Sequence, residues 1–216
     1  MKTVKIHRAF TMLELVFVII VVGIISALAI PRFDRDNLRE AADQLISHIR
    51  YTQHLAMQDN RFDLSDATWY KTRWQLVFGT SANTNNKVAY SIFSDTAGTH
   101  TGQADISEIA ADPQNPAQLL SGGYAGTLPY TDSRANIKLN LGETYGIDTV
   151  TLNGGCANSR ISFDNLGRPM TGNPSSMTSP YMAARLIQTL CTITMTSAAG
   201  SIVIEIMPET GYTYIQ

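Results

Sequence analysis

The chain has 216 residues, a formal charge of −2 and 16 % charged side chains. That is enough for one well-buried core and short for two. Removing the first nine residues, with Lys2, Lys5 and Arg8, takes the balance from −2 to −5, so the remainder has no global electrostatic claim on nucleic acid. Ser, Thr, Asn and Gly are plentiful after residue 80, which suits a β-rich extracytoplasmic domain better than a cytosolic helical enzyme.

The first element is "RAFTMLELVFVIIVVGIISALAIPRF", residues 8–33, in which residues 15–30 are uncharged and nearly all apolar. Three readings compete. A secretory signal peptide would use Ala27 and Ala29 as an A-x-A site and free Ile30. An uncleaved anchor would use residues 10–30, about 31 Å as a helix against a bilayer core of roughly 30 Å, with the basic start held in the cytoplasm. Neither uses Glu14, and a carboxylate costs about 2.5–3.5 kcal/mol at the bilayer centre, less near the edge. A cut before Phe10 supplies it with a partner: the new ammonium group lies four residues away, and the two charges neutralise each other within one chain or between neighbours.

In these residues the chain resembles the start of a type IV pilin or type II secretion pseudopilin. The resemblance implies a leader, residues 1–9, removed between Ala9 and Phe10 by a prepilin peptidase on the cytoplasmic face, with N-methylation of Phe10. It places Glu14 at the fifth mature position and Pro31 at about the twenty-second, both as assembly residues. The family nearly always has Gly where this chain has Ala9, a departure that bears on the rate of processing. The implied partners are copies of itself or other pilins, the inner membrane, an assembly platform protein and an ATPase. The implied location is the inner membrane with the head in the periplasm, then a pilus or pseudopilus.

Beyond a transmembrane and filament-core helix over 10–36, "DNLREAADQLISHIRYTQHLAMQDN" reads as an amphipathic helix over 37–60, the two making one membrane-to-head helix. Leu38, Ala42, Leu45, Ile49 and Ala56 recur at helical steps. Asp36 or Asn37 is expected to cap its start, with Glu40 three residues after Asn37, and Asn60 to end it. In the family the helix bends or melts near the proline. Arg32, Arg35, Arg39, Arg50 and Arg61 are interleaved with Asp34, Asp36, Glu40, Asp43 and Asp59, a pattern of salt-bridged packing between subunits rather than a DNA-binding face.

The head, 61–216, is expected to be β-rich. Strands are predicted at 73–79, 87–93, 136–141, 148–153 and 160–164, at 191–196 and 201–206 as a hairpin, and at 212–215 as an edge. Residues 94–135 read as a long ordered insertion with short helices near 106–111 and 117–120. The helix, the Trp-containing strand, "RISFDNLGRP" and "GSIVIEIMPETGYTYI" are similar to minor pseudopilins of the GspH/FimT type, which implies an α+β, pilin-like fold: a long N-terminal helix packed on an antiparallel β-sheet head.

Two cysteines, Cys156 and Cys191, in a chain with an export-type start point to a disulfide, with two buried thiols as the other reading; the bridge would contribute about 4 kcal/mol on the chain-entropy model. His7, His48, His54 and His100 are scattered, and Asp105, Glu108 and Asp112 follow no calcium-ligand pattern. Asp34/Asp36 and Asp63/Asp66 read as helix-end and turn residues. Trp69, Tyr70, Trp74 and Tyr90 are either a surface patch or, as strand aromatics more often are, core. No nucleophile elbow, zinc-protease motif or phosphate loop occurs. The expected function is a structural filament subunit, with no catalytic residue, cofactor or metal. The alternatives are a pilus-tip adhesin or DNA-uptake minor pilin that binds through 94–135, and an exported binding protein cleaved after Ala29.

Overall fold

The computed structural model describes residues 11–124 and 126–216, and for residues 28–36 the backbone only. Ala9 and Phe10 lie outside the described residues. A 47-residue helix, α1, runs from Met12 to Gln58. Thr11 caps it, its side chain accepting from the Glu14 amide, and the Asp59 amide closes the far end on the Leu55 carbonyl at 2.9 Å. The apolar and amphipathic segments form one continuous helix, as read from the sequence; α1 passes through Pro31 without a break, and neither Asp36 nor Asn37 caps a new start. A proline inside a helix costs roughly 3 kcal/mol, but a break there would create two more helix ends with four orphaned backbone groups each.

The head is built from two four-stranded antiparallel sheets. Its strands are β1 (Trp74–Gly79), β2 (Ala89–Ser94), β3 (Ile147–Gly154), β4 (Arg160–Phe163), β5 (Pro169–Thr171), β6 (Cys191–Ser197), β7 (Gly200–Ile206) and β8 (Thr213–Ile215). One sheet has the order β2-β1-β4-β5, the other β3-β6-β7-β8. The expected hairpin is β6–β7, closed at Ser197 and Gly200, and β8 is the expected edge.

Three expectations fail in detail. Residues 136–141 are not a strand: Ile137–Leu139 form a 3₁₀ turn and Leu141–Tyr145 a short helix, α2. The Asn136 and Asn140 side chains accept from the Lys138 and Glu143 amides, offering the backbone a helical alternative to a ladder. In the insertion, the first expected helix shrinks to a 3₁₀ turn, Ile106–Glu108. The second is not a helix, since Leu119 bridges Ala111 and Ala135 instead. Strand β5 was not anticipated: it has three residues and starts at Pro169, tolerated as the first residue of an edge strand.

The second half of α1 packs against both sheets. Leu38, Ala41, Ala42, Leu45, Ile46 and Ile49 are buried with Leu76, Ile161 and Phe163 of one sheet and Ile193, Ile204 and Ile206 of the other. The insertion covers the opposite face of the first sheet, where Val77 and Phe93 join Ala104, Ile109, Leu128 and Ala135 in a separate apolar cluster. Cys156 and Cys191 form the disulfide, Cα–Cα 5.2 Å, which ties the loop after β3 to the start of β6.

A polar network locks α1 to the head inside this apolar contact. Gln44 Nε2 donates to the Tyr90 hydroxyl at 3.0 Å and to the Lys138 carbonyl at 2.9 Å, while Gln44 Oε1 accepts from Tyr145 at 2.9 Å. With Gln44 supplying the proton, the Tyr90 hydroxyl donates its own to His48 Nδ1, 2.7 Å away. His48 is therefore neutral with its proton on Nε2. Burial, offset in part by Asp112, holds its pKa down at about 4.

Candidate assembly surface

The feature that no packing within the chain explains is the first half of α1. Met12, Leu13, Leu15, Val16, Phe17, Val18, Ile19, Ile20, Val21, Val22, Ile24 and Ile25 are all exposed, from 37 % at Val21 to 85 % at Met12. A helix that is apolar all round is a buried one in a folded assembly or a bilayer. At roughly 1.5 kcal/mol per side chain, covering these twelve residues is worth on the order of 20 kcal/mol. Among the described residues no helix is long and apolar enough to cross a membrane; the described side chains of the apolar run end at Ala27, short of Ile30.

Glu14 stands in the first turn of α1, exposed. The helix dipole and the free amides of that turn favour an acid there, by roughly 0.3–1 kcal/mol. The ion pairs among the described residues are Arg39–Asp43, Arg61–Asp59, Arg134–Asp132 and Arg168–Asp164, and none reaches Glu14. The partner expected for it, the Phe10 ammonium, lies outside the described residues. The backbone at Pro31 is helical, and its side chain is likewise not described.

The charged residues of α1 divide. Arg39 and Asp43 pair at 3.1 Å on an exposed face, and Arg61 pairs with Asp59 at 2.5 Å past the helix end. Arg50 turns inward to the Thr213 carbonyl, 2.6 Å away, and lies over the Tyr212 ring. The salt-bridge pattern is thus partly intramolecular. The aromatic quartet splits too: Tyr70 and Tyr90 are buried, while Trp74 is half-buried with Nε1 on the Asp59 carboxylate at 3.0 Å and Trp69 meets Phe62 edge to face.

The remaining polar candidates serve turns. Glu108 accepts from the amides of Thr96, Ala97 and Asp105 at 2.6–2.8 Å, and Asp112 from the Gln114 amide and Asn136 Nδ2. Asp105 and Glu108 form a capping box, whose D-x-x-E signature was readable in the sequence. Asp63 and Asp66 accept from their own neighbours two residues on, as the turn reading had it. His54 is exposed, and His100 holds Thr68 and the Asp95 carbonyl. Among the described residues no group of His, Cys, Asp and Glu could hold a metal ion.

Comparison of the chain with family models, with curated proteins and with solved structures finds no match.

Proposed function

We propose that this chain is a structural subunit of a pilin-like filament, a type IV pilus or a type II secretion pseudopilus, and not an enzyme. The single observation behind the reading is the division of α1: its second half is buried in the head, while its first half is apolar on every side and exposed. The basic leader, residues 1–9, holds the start in the cytoplasm as the head is exported. A prepilin peptidase cuts between Ala9 and Phe10, and Phe10 is N-methylated. The first half of α1 rests in the inner membrane until a platform protein and an ATPase draw it out. Glu14 then pairs with the Phe10 ammonium of a neighbouring subunit, fixing axial register. Burial of the apolar half against neighbouring helices offsets its removal from lipid. Cleavage after Ala29 is the less favoured route, because it gives Glu14 no use.

Mass spectrometry of the protein from its native host tests the reading. A mature chain that starts at N-methylated Phe10, with filaments lost in Glu14→Ala, is the expected result. A chain that starts at Ile30, or filaments that survive Glu14→Ala unchanged, overturns it.

A further inference from the structure

The four sheet edges of the head are treated unequally. The outer side of β2 is bridged by Ile109, Ser121 and Asn140. Strand β5 is three residues long, begins with a proline and is bridged by Leu186. Strand β8 is equally short, and the Arg50 guanidinium occupies its Thr213 carbonyl. Short strands, prolines and covering segments are how proteins blunt an edge against a foreign strand. Strand β3 is blunted only at its start, where the register shifts between Ile147 and Thr149 and Asp148 stands; from Val150 to Gly154 it has none of these. It is the longest strand in the head at eight residues, Ile147–Gly154, and its only charge is Asp148.

The register shows which backbone groups are free. The Gly155 amide donates to the Leu190 carbonyl at 3.1 Å, so the pairs that exchange hydrogen bonds with β6 are Asn153↔Thr192, Thr151↔Thr194 and Thr149↔Thr196. Val150 and Leu152 therefore aim their N–H and C=O groups away from β6, with no partner among the described residues. A cleft of about 390 Å³ runs along this side. Phe78, Val88, Val150 and Leu152 give it an apolar lining, and residues 157–159 stand among its other walls.

We propose that the free side of β3 is a docking site for an extended peptide segment of another protein, bound by strand addition. Water satisfies such amides and carbonyls one at a time, whereas another extended backbone matches their ~7 Å repeat together, and the apolar lining selects apolar residues at every second position. With one carboxylate in reach, the site reads backbone and alternation rather than charge. The proposal stands apart from the filament reading and does not need it.

The test uses the full chain in nonionic detergent and a fluorescent peptide, acetyl-Lys-(Val-Thr)₃-Lys-amide. Saturable binding is expected, with amide exchange slowed at Val150 and Leu152. The same peptide methylated on every backbone nitrogen should bind at least tenfold more weakly, a control that leaves the protein untouched. Val150→Pro, which removes an outward N–H and no ladder bond, should weaken binding by a similar factor. Equal binding of the methylated peptide, or no saturation, overturns the proposal. So does exchange at Val150 and Leu152 that slows with protein concentration alone, which would make a second copy of the chain the occupant.

Discussion

Protonating His48 should loosen the joint between α1 and the head, and the size of the effect follows chiefly from its burial there. Tyr90 is fully buried, accepts from Gln44 and donates to His48 Nδ1. A proton on Nδ1 meets the tyrosine's own proton. Relief requires the hydroxyl to become a double acceptor, which strands its proton in an apolar contact. The folded pKa accordingly falls from 6.5 to about 4, with burial the larger cause and Asp112 opposing it. Above pH 6.5 His48 is neutral in both states, and stability is full. As the pH falls from 6.5 towards 4 the unfolded chain takes up the proton first, so stability drops, and it levels once the folded form also titrates. The shift corresponds to about 3 kcal/mol, an upper bound because His48 keeps some solvent contact. Urea unfolding followed by tryptophan fluorescence between pH 4 and 8 measures it, with His48→Gln as the reference that cancels the carboxylates. The gap between the two curves should be constant above pH 6.5 and change only below it. Parallel curves for the two proteins, or an imidazole that titrates near 6.5 by NMR, would refute the network as drawn.

Two further outcomes are expected. Replacing Cys156 and Cys191 by serine opens a loop with a sequence separation of 35 and should lower unfolding free energy by about 4 kcal/mol on the chain-entropy model; a loss under about 1 kcal/mol would mean that the unfolded chain gains little from the cut. Glu108→Ala leaves the Thr96, Ala97 and Asp105 amides without their acceptor, at about 1–3 kcal/mol per buried donor that water cannot reach. Hydrogen exchange should then quicken across 96–108 first, and unchanged exchange there would show that the carboxylate does not hold this loop.

Much of this architecture was legible because it rests on period and on single residues with one physical use. The 3.6-residue spacing of Leu38, Ala42, Leu45 and Ile49 marked the buried face of α1, and short β-prone runs between turn residues marked β1, β6 and β7. What failed to show depends on competition that a local pattern does not record. Residues 136–141 alternate like a strand, yet two asparagines capping the next turns redirect them. Asp36 and Asn37 read as caps, but α1 is one helix through both, and a break there would have created two new helix ends. The open side of β3 had no sequence signal at all. "DTVTLN" predicts a strand, and whether its edge is free depends on where β1, β2 and the insertion settle.

The two halves of α1 are solved by different means, and this bears on how a subunit keeps its shape while its surroundings change. In the half that carries Leu45 and Ile49, the apolar contact is sealed by Gln44, whose three amide hydrogen bonds are all made inside the chain. Nothing from outside is needed to complete it. In the half from Met12 to Ile25, past the first turn, the backbone is satisfied by the helix itself, so lipid and protein are equally acceptable cover for the side chains. A transfer between those two environments leaves the net apolar burial nearly unchanged, and small terms then decide its direction. Under the proposed function, the pairing of Glu14 is one such term: a carboxylate at a membrane edge is poorly solvated, and a neighbour's ammonium group relieves that only in the assembled state. On that proposal the same helix rests in a membrane and then enters a filament while the head that it anchors stays folded throughout.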